Sequence, residues 1–350
     1  MLIGIANNCG APYNAAVSNL EYLHQLPYFM KALVLVGKNE PLAYQYVENP
    51  QNTEGSLIVK LRAAALNHRD VWIQKGLYAG LKYPTILGSD GAGELPDGTA
   101  VILHPSRGWG ENPRFQGKKF EILGLPTDGT FAEYIKIPAE CVAPKPTHLT
   151  FEEAAALPLA GLTAFRALFT KCQAKAGDKV LISGIGGGVA LFALQFAVAA
   201  GCAVWVTSSS EEKIEKAVKL GAKGGFNYKK EAWSKDAQAG TGGFDVVIDG
   251  AAGAGFSEVV KACAAGARLC FYGGTAGALT GVSPQIIFYK QLTIMGSTMG
   301  SPEEFNLMVA FVNQHKIVPI VDSIYALEDG NLALQHMDSG LQFGKIVLSI

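Results

Sequence analysis

The chain has 350 residues, of which 49% are hydrophobic and 17% charged, and its formal net charge is −1. This length accommodates two domains with buried cores. The near-neutral charge and the lack of a sustained Lys/Arg block exclude the usual electrostatic footprint for nucleic acid or an anionic membrane, so neither is an expected partner. Six cysteines lie scattered without a C-x-x-C pair, so no disulfide framework is required and a cytoplasmic location is expected.

Residues 1–29 are predicted to be a poorly structured N-terminal extension, because they contain no Lys or Arg and match neither a secretory nor a mitochondrial targeting pattern. From Met30 to about residue 150, short apolar runs such as KALVLVG, TAVILHP and FAEYIKIP are broken by Gly, Pro and Asp. This pattern predicts a β-rich domain. The longest apolar run, residues 184–206, is interrupted by glycines, which favours strand, turn and helix over a membrane span.

Strands and helices alternate from residue 151 to 298. Strand-like runs are DKVLISG, AVWVTS, FDVVIDG, ARLCFYGG and LTIMGST, and helical segments such as EEKIEKAVKLGA separate them. The alternation predicts an α/β fold with a doubly wound parallel sheet. Over residues 299–350, a helix and two strand-like runs, IVDSIYAL and GKIVLSI, predict that the chain returns to complete the domain formed by residues 30–150.

A cluster of glycines follows the first strand of the parallel sheet. Gly184, Gly186, Gly187 and Gly188 stand between a strand and a helix. There the missing Cβ atoms let backbone N–H groups approach a pyrophosphate, and the helix dipole favours the anion. Val189 replaces the third glycine of the G-x-G-x-x-G pattern, which weakens the dinucleotide-binding fingerprint. A tight turn without a ligand is the alternative interpretation.

The end of the next strand favours NADPH as the cofactor, with NADH possible. An NAD site usually has Asp or Glu there, which would repel a 2′-phosphate. This chain has Ser208 and Ser209, with Lys213 one helical turn further on, and these side chains can donate to a phosphate. Two alternatives remain open: Glu211 or Glu212 bonds the ribose, or Ser209 is only a helix N-cap with Glu212 closing a capping box.

Five segments in this order and spacing resemble the medium-chain dehydrogenase/reductases, and most closely their zinc-free quinone oxidoreductase-like branch. They are LNHRDVWIQKGLY, PTILGSDGAGE, DGTFAEYIKIP, LPLAGLTAFRAL and GIGGGVALFALQFA. The resemblance covers residues 30–350. It implies a GroES-like substrate domain, a Rossmann domain over residues 151–298, a cleft in which the nicotinamide meets a small carbonyl or quinone substrate, and a homodimer that pairs through the Rossmann domain.

Zinc-dependent members of that family bind a catalytic zinc through Cys, His and Cys. At the matching positions this chain has Asn67, Ser89 and Leu159, and the four-cysteine structural lobe is replaced by SRGWGENPRFQGKKFEILGLPTDG. His68 remains as a lone imidazole, which is more often a structural residue than a ligand. No zinc is therefore expected.

Without a metal, hydrogen-bond donors must stabilise the oxyanion that forms when hydride reaches a conjugated carbonyl. The resemblance nominates the amide of Asn67 and the phenol of Tyr78, although packing at the domain interface is an equal interpretation of Tyr78. Asp70 is expected to fix the loop. The resemblance also implies cofactor contacts: Thr163 near the nicotinamide, Tyr228 near the adenosine phosphate, and Gly273, Gly274 and Ser297 at strand ends.

The expected function is therefore NADPH-dependent reduction of quinones or α,β-unsaturated carbonyl compounds without zinc. One alternative is a metal-free aldehyde or alcohol oxidoreductase, for which Tyr78 or His68 would be the proton donor. Another is a non-catalytic NADPH-binding protein with a sensor or structural role. Turnover of a carbonyl compound distinguishes the enzymes from the binding protein.

Overall fold

The computed structural model of the protein describes residues 28–350. Residues 1–27, and with them most of the predicted extension, lie outside the described residues. The strands are β1 Phe29–Leu35, β2 Ala43–Glu48, β3 Ser56–Ala65, β4 Thr85–Ile86, β5 Asp90–Glu94, β6 Ala100–Leu103, β7 Ser106–Arg107, β8 Glu121–Ile122, β9 Tyr134–Pro138, β10 Val142–Pro144, β11 Lys179–Ile182, β12 Ala203–Ser208, β13 Gly224–Asn227, β14 Phe244–Asp249, β15 Cys263–Phe271, β16 Thr293–Gly296, β17 Val321–Ala326 and β18 Lys345–Ser349.

The helices are α1 His68–Gln74, α2 Phe151–Ala156, α3 Pro158–Phe165, α4 Gly188–Ala199, α5 Glu211–Lys219, α6 Trp233–Thr241, α7 Phe256–Ala262, α8 Pro284–Tyr289, α9 Pro302–His315 and α10 Gly330–Ser339. A π-helical turn, Arg166–Lys171, continues α3. Within residues 28–350, none of these helices is long and apolar enough to cross a membrane.

The β-rich part of the chain forms a sheet with the strand order β10-β6-β5-β3-β18-β17, and β9 also pairs with β3. A smaller sheet has the order β2-β1-β4. Strand β18 lies antiparallel to β3, with Val347 opposite Ala65. The C-terminal segment therefore does return to the β-rich domain, because its apolar strand buries against a partner near the start of the chain.

The parallel sheet has the strand order β13-β12-β11-β14-β15-β16. Every neighbouring pair in it is parallel. The order reverses beside β11, and ligands of open α/β sheets bind at the carboxyl ends of the strands at such a point. The predicted α/β fold, a GroES-like domain with a Rossmann sheet, is confirmed.

Residues 151–171 form α2, α3 and the π-helical turn, which the sequence analysis did not identify. Helix α2 is capped by Thr150, whose Oγ1 accepts from the Glu153 N–H at 3.2 Å, while the Glu153 carboxylate accepts from the Thr150 N–H at 2.8 Å. Alanines of α2 and leucines of α4 lie in one core cluster that also contains Ala65 of β3. The cores of the two domains are thus continuous, and the exact domain limits stay a prediction.

Candidate active site

The glycine turn joins β11 to α4 at the reversal point of the parallel sheet. Gly184 and Gly186 have φ values of 64° and 133°, which an L side chain rarely adopts. The Gly184 N–H donates to Thr207 Oγ1 at 3.1 Å. Gly187 is the N-cap of α4, has no side-chain cap, and would place a Cβ in open space. The uncapped N–H groups, with Val189 in the first turn of the helix, can therefore face an anion.

The end of β12 is held by short polar contacts. Ser208 is buried, and its Oγ accepts from the Ser210 N–H at 3.1 Å. Ser210 is the N-cap of α5, because its Oγ accepts from the Lys213 N–H at 3.3 Å. The alternative in which Ser209 caps the helix is therefore wrong by one residue. Tyr228 lies beside this strand end, where its N–H donates to the Ser208 carbonyl at 3.0 Å.

Both glutamates at the start of α5 already have partners. Glu211 accepts from Lys230 at 2.9 Å and from Asn227 Nδ2 at 3.2 Å. Glu212 pairs with Lys216 at 2.7 Å. The Lys230 hydrogen bond is the main reason that the pKa of Glu211 lies below its usual value. Both carboxylates thus have a cation partner, while a carboxylate has further lone pairs with which it could also accept from a ribose.

Lys213 reaches from α5 to the glycine turn. Its Nζ donates to the carbonyls of Gly340 and Gln342 at 3.1 and 2.9 Å. The same Nζ lies 3.3 Å from the position that a Cβ on Gly186 would occupy. Partial burial lowers the pKa of Lys213. The structure thus brings Lys213 to the turn, as the phosphate hypothesis requires, but adds contacts to the loop before β18 that the sequence did not indicate.

Asn67 stands directly before α1 and is almost fully buried. Its N–H donates to Asp70 Oδ2 at 2.8 Å, so Asp70 does fix the loop. Its Nδ2 donates to Asp90 Oδ2 at 3.0 Å, and its Oδ1 accepts from Lys345 Nζ at 2.8 Å. Hydrogen bonds therefore fix the backbone N–H of Asn67 and both polar atoms of its side-chain amide.

Asp90 and Lys345 are the polar residues that sequence reasoning missed. They form a buried ion pair at 2.9 Å, with side-chain exposures of 0% and 4%. Asp90 Oδ1 also accepts from the Leu159 N–H at 2.7 Å, so this carboxylate links two of the positions that match zinc ligands. A charged residue at the start of the apolar strand GKIVLSI was the available signal for Lys345.

The positions that match zinc ligands do not fit a zinc ion. Ser89 Oγ accepts from Arg69 Nη1 at 2.6 Å and donates to the Leu123 carbonyl at 2.8 Å. The Asn67 oxygen is taken by Lys345, and Leu159 has no donor side chain. Over residues 28–350 there is no group of three or more His, Cys, Asp or Glu that could hold a metal. Two cationic side chains thus occupy the oxygens that a metal would need.

The remaining predicted residues lie on elements of both domains. Tyr78 is half-buried, with the guanidinium of Arg69 5.2 Å from its ring centre, and it packs on the core of the β-rich domain. Thr163 Oγ1 donates to the Leu159 carbonyl at 2.8 Å within α3. Gly273 and Gly274 follow β15 and Ser297 follows β16, all at the carboxyl edge of the parallel sheet.

A glycine turn at the reversal point of a parallel sheet, next to a buried polar cluster from a second domain, defines the class of dinucleotide-dependent oxidoreductases. Residues 53–147 match the family described as the alcohol dehydrogenase GroES-like domain, and residues 188–314 match the one described as zinc-binding dehydrogenase. The chain is 36% identical over 343 residues to the zinc-type alcohol dehydrogenase-like protein YogA of Leptosphaeria maculans, covering 89% of this chain and 95% of the relative. The protein belongs to the medium-chain dehydrogenase/reductase superfamily, whose members bind NAD(P).

Other relatives differ in the activity that their names give. The chain is 30% identical to a quinone oxidoreductase of Rattus norvegicus, covering 86% of this chain and 91% of that protein. The crystal structure of an NAD-dependent alcohol dehydrogenase superposes with a TM-score of 0.87 at 35% identity, covering 92% of this chain and 100% of that one. The superfamily is thus confirmed, while the quinone branch stays a proposal.

Proposed function

We propose that the protein is an NADPH-dependent reductase that transfers hydride to quinones or α,β-unsaturated carbonyl compounds without zinc. The observation that carries this proposal is the Asn67 amide, whose oxygen bonds Lys345 and whose nitrogen bonds Asp90 at a position where zinc-dependent relatives are expected to have a cysteine. The quinone oxidoreductase among the relatives supports the substrate class.

Asn67 would hold the carbonyl oxygen of the substrate. One Nδ2 hydrogen is donated to Asp90, and the second has no acceptor among the described residues. A nicotinamide cofactor held at the glycine turn would supply the hydride to the conjugated system, which would leave an electron pair on the carbonyl oxygen. A donor aimed at that oxygen stabilises the charge, which conjugation also spreads, and water supplies the final proton. Tyr78, held beneath Arg69, is the second proposed donor.

The proposed cofactor site unites the glycine turn, the end of β12 and the strand ends that carry Gly273, Gly274 and Ser297. Lys213 uses two of its three donors on backbone carbonyls, so one remains for a 2′-phosphate beside Ser208 and Ser209. The glutamates that would favour a ribose are already paired. These contacts support NADPH over NADH.

A metal-free alcohol or aldehyde oxidoreductase is the second candidate. The 36% identical relative is named as zinc-type alcohol dehydrogenase-like, which favours it. A simple carbonyl needs a proton donor, and His68, the exposed residue after Asn67, is the candidate for that role.

The protein is further proposed to be a homodimer. Strand β16 ends the parallel sheet, and among the described residues its outer edge has no partner strand. Phe288 and Tyr289 just before it are 68% and 85% exposed. An unpaired edge with exposed aromatic residues favours pairing with a second copy through the Rossmann domain.

A panel of quinones, enones, aldehydes and alcohols, followed by nicotinamide absorbance with each cofactor, tests the function. Quinones or enones should be reduced fastest with NADPH, and metal analysis of the active protein should find no stoichiometric zinc. Preferential alcohol oxidation would favour the second candidate. Dinucleotide binding without turnover would indicate a sensor or structural protein, and activity that a chelator removes and zinc restores would contradict the metal-free proposal.

A further inference from the structure

We propose that Lys345 is a positioning residue for hydride transfer, which fixes the direction of the Asn67 amide and cancels the charge of Asp90 beside it. The inference rests on the proposed function, in which Asn67 donates to the substrate oxygen. It assigns a role to a residue 278 positions away from Asn67 in the chain.

The ammonium of Lys345 has no donor left for a substrate. It donates to the Leu66 carbonyl at 2.7 Å, to Asn67 Oδ1 at 2.8 Å and to Asp90 Oδ2 at 2.9 Å. These contacts use all three hydrogens. Lys345 must therefore act through its neighbours rather than by touching the reacting atoms.

The path of the Lys345 side chain also explains one glycine of the turn. A Cβ on Gly188 would lie 2.7 Å from Lys345 Cδ. Gly188 is the first residue of α4. Its missing side chain thus makes room for Lys345, so the site of the buried cation and the proposed pyrophosphate site share one residue.

The chemistry of the two partners dictates the orientation of the amide. An ammonium can only donate and an ionised carboxylate can only accept, so Oδ1 of Asn67 must face Lys345 and Nδ2 must face Asp90. The second Nδ2 hydrogen then has a single direction. Without Lys345, Oδ1 loses its donor and the amide is free to turn.

The positive charge of Lys345 has a second effect, which is to neutralise the carboxylate of Asp90. Asp90 is fully buried and bonds the amide that is proposed to hold the oxyanion. A negative charge buried beside this amide would oppose the negative charge that develops on the substrate oxygen. The ammonium at 2.9 Å cancels it, so the amide can stabilise a developing oxyanion.

A double-mutant cycle tests the positioning role, with Lys345→Met, Asn67→Ala and the combination. Lys345→Met should lower kcat/KM for a quinone or enone by about ten- to a hundredfold, mostly through kcat, with NADPH affinity changed by less than about threefold. In the Asn67→Ala background the same change should cost less than about twofold. Equal losses in both backgrounds, or no loss in either, would overturn the inference.

Lys145→Met is the matched control. Lys145 lies in the same domain and donates to the backbone carbonyls of Pro146 and Leu149, without a contact to the site. The control should keep kcat within about twofold of the wild type. A tenfold loss in this control would mean that any lysine removed from the domain impairs activity, and the inference would fail.

A second variant covers the case in which Lys345→Met does not fold. Lys345→Met/Asp90→Asn removes both charges, so no unpaired charge remains buried. It should be folded but keep less than about a tenth of the wild-type kcat, because an amide at position 90 no longer dictates how Asn67 points. Wild-type activity in this variant would overturn the inference.

Failure of the proposed function is distinguishable from failure of this inference. If the wild type reduces no carbonyl compound, the proposed function fails, and neutron crystal structures of the wild type and of Lys345→Met/Asp90→Asn, which distinguish the amide oxygen from the nitrogen, decide the positioning role. An Asn67 amide that turns or flips from its wild-type orientation supports that role. An amide with the wild-type orientation of both atoms overturns it.

Discussion

Two buried ion pairs join distant parts of this chain, and their surroundings differ. Lys345 and Asp90 lie beside Asn67, and Lys345 also bonds the Leu66 carbonyl. Arg166, in the π-helical turn, pairs with Glu304 of α9 and donates to the carbonyls of Pro113 and Arg114 at 3.1 and 2.8 Å. One pair holds an amide at the site, while the other holds a loop that has no regular structure of its own.

Arg166 bonds the segment, residues 106–129, that stands in place of the four-cysteine lobe of zinc-dependent relatives. The guanidinium lies 4.8 Å from the ring centre of Trp109, and the Glu304 carboxylate also accepts from Thr170 at 2.6 Å and from the Ser301 N–H at 2.7 Å. Each region thus contains a buried organic cation. The comparison indicates that one cation orients the Asn67 amide and the other holds a loop.

Removing Arg166 should have the largest effect. Arg166→Met leaves Glu304 buried without its cation, so the free energy of unfolding should fall by about 3–5 kcal/mol, while kcat per folded molecule stays unchanged. Urea unfolding and active-site titration measure the two quantities. The control is Arg62→Met, which breaks the half-exposed pair with Glu94 and should cost at most about 1 kcal/mol. Similar losses in both variants would contradict the comparison.

Asp70 tests what happens to a buried carboxylate without an ion pair. Burial raises its pKa from 3.8 to about 6, and its Oδ1 has no partner among the described residues. Because the folded state holds the proton more tightly, stability should fall as the pH rises from about 4 to 6.

Asp70→Asn removes this titration and can still accept from the Asn67 N–H. The variant should be more stable than the wild type by about 2–3 kcal/mol at pH 7, and no more stable at pH 4. Urea unfolding at both pH values measures this, with the exposed Glu231→Gln as the control. A gain of equal size at both pH values would show that charge is not the cause.

Lys213 lies at the glycine turn, and unlike Lys345 it keeps a donor for a ligand. Lys213→Ala should weaken NADPH binding by about ten- to a hundredfold and leave NADH within about twofold, because only NADPH has the phosphate. Dissociation constants at one ionic strength measure this. Lys219→Ala, which removes an exposed lysine from the last turn of the same helix, is the control and should change neither. Equal weakening of both cofactors would contradict the phosphate assignment.

The sequence indicated features that depend on local patterns. Alternating strands and helices predicted the parallel sheet, the run GIGGG predicted a glycine turn between a strand and a helix, and the apolar run GKIVLSI predicted the returning strand. The cap of α2 was readable as well, since Thr150 and Glu153 have capping-box spacing, but it was missed. The all-apolar run of α3 has no periodicity that separates helix from strand.

By itself, the sequence determined the fold class and the glycine turn, because each follows from residue types at short spacing, and the resemblance of its five segments located Asn67 and the replaced zinc-ligand positions. Only the tertiary structure decided that Lys345 pairs with Asp90, that Gly188 makes room for that lysine, and that Lys213 reaches the loop before β18. These partners lie more than 100 residues apart in the chain. No local pattern encodes such pairs, because packing of the whole fold selects which buried charges meet.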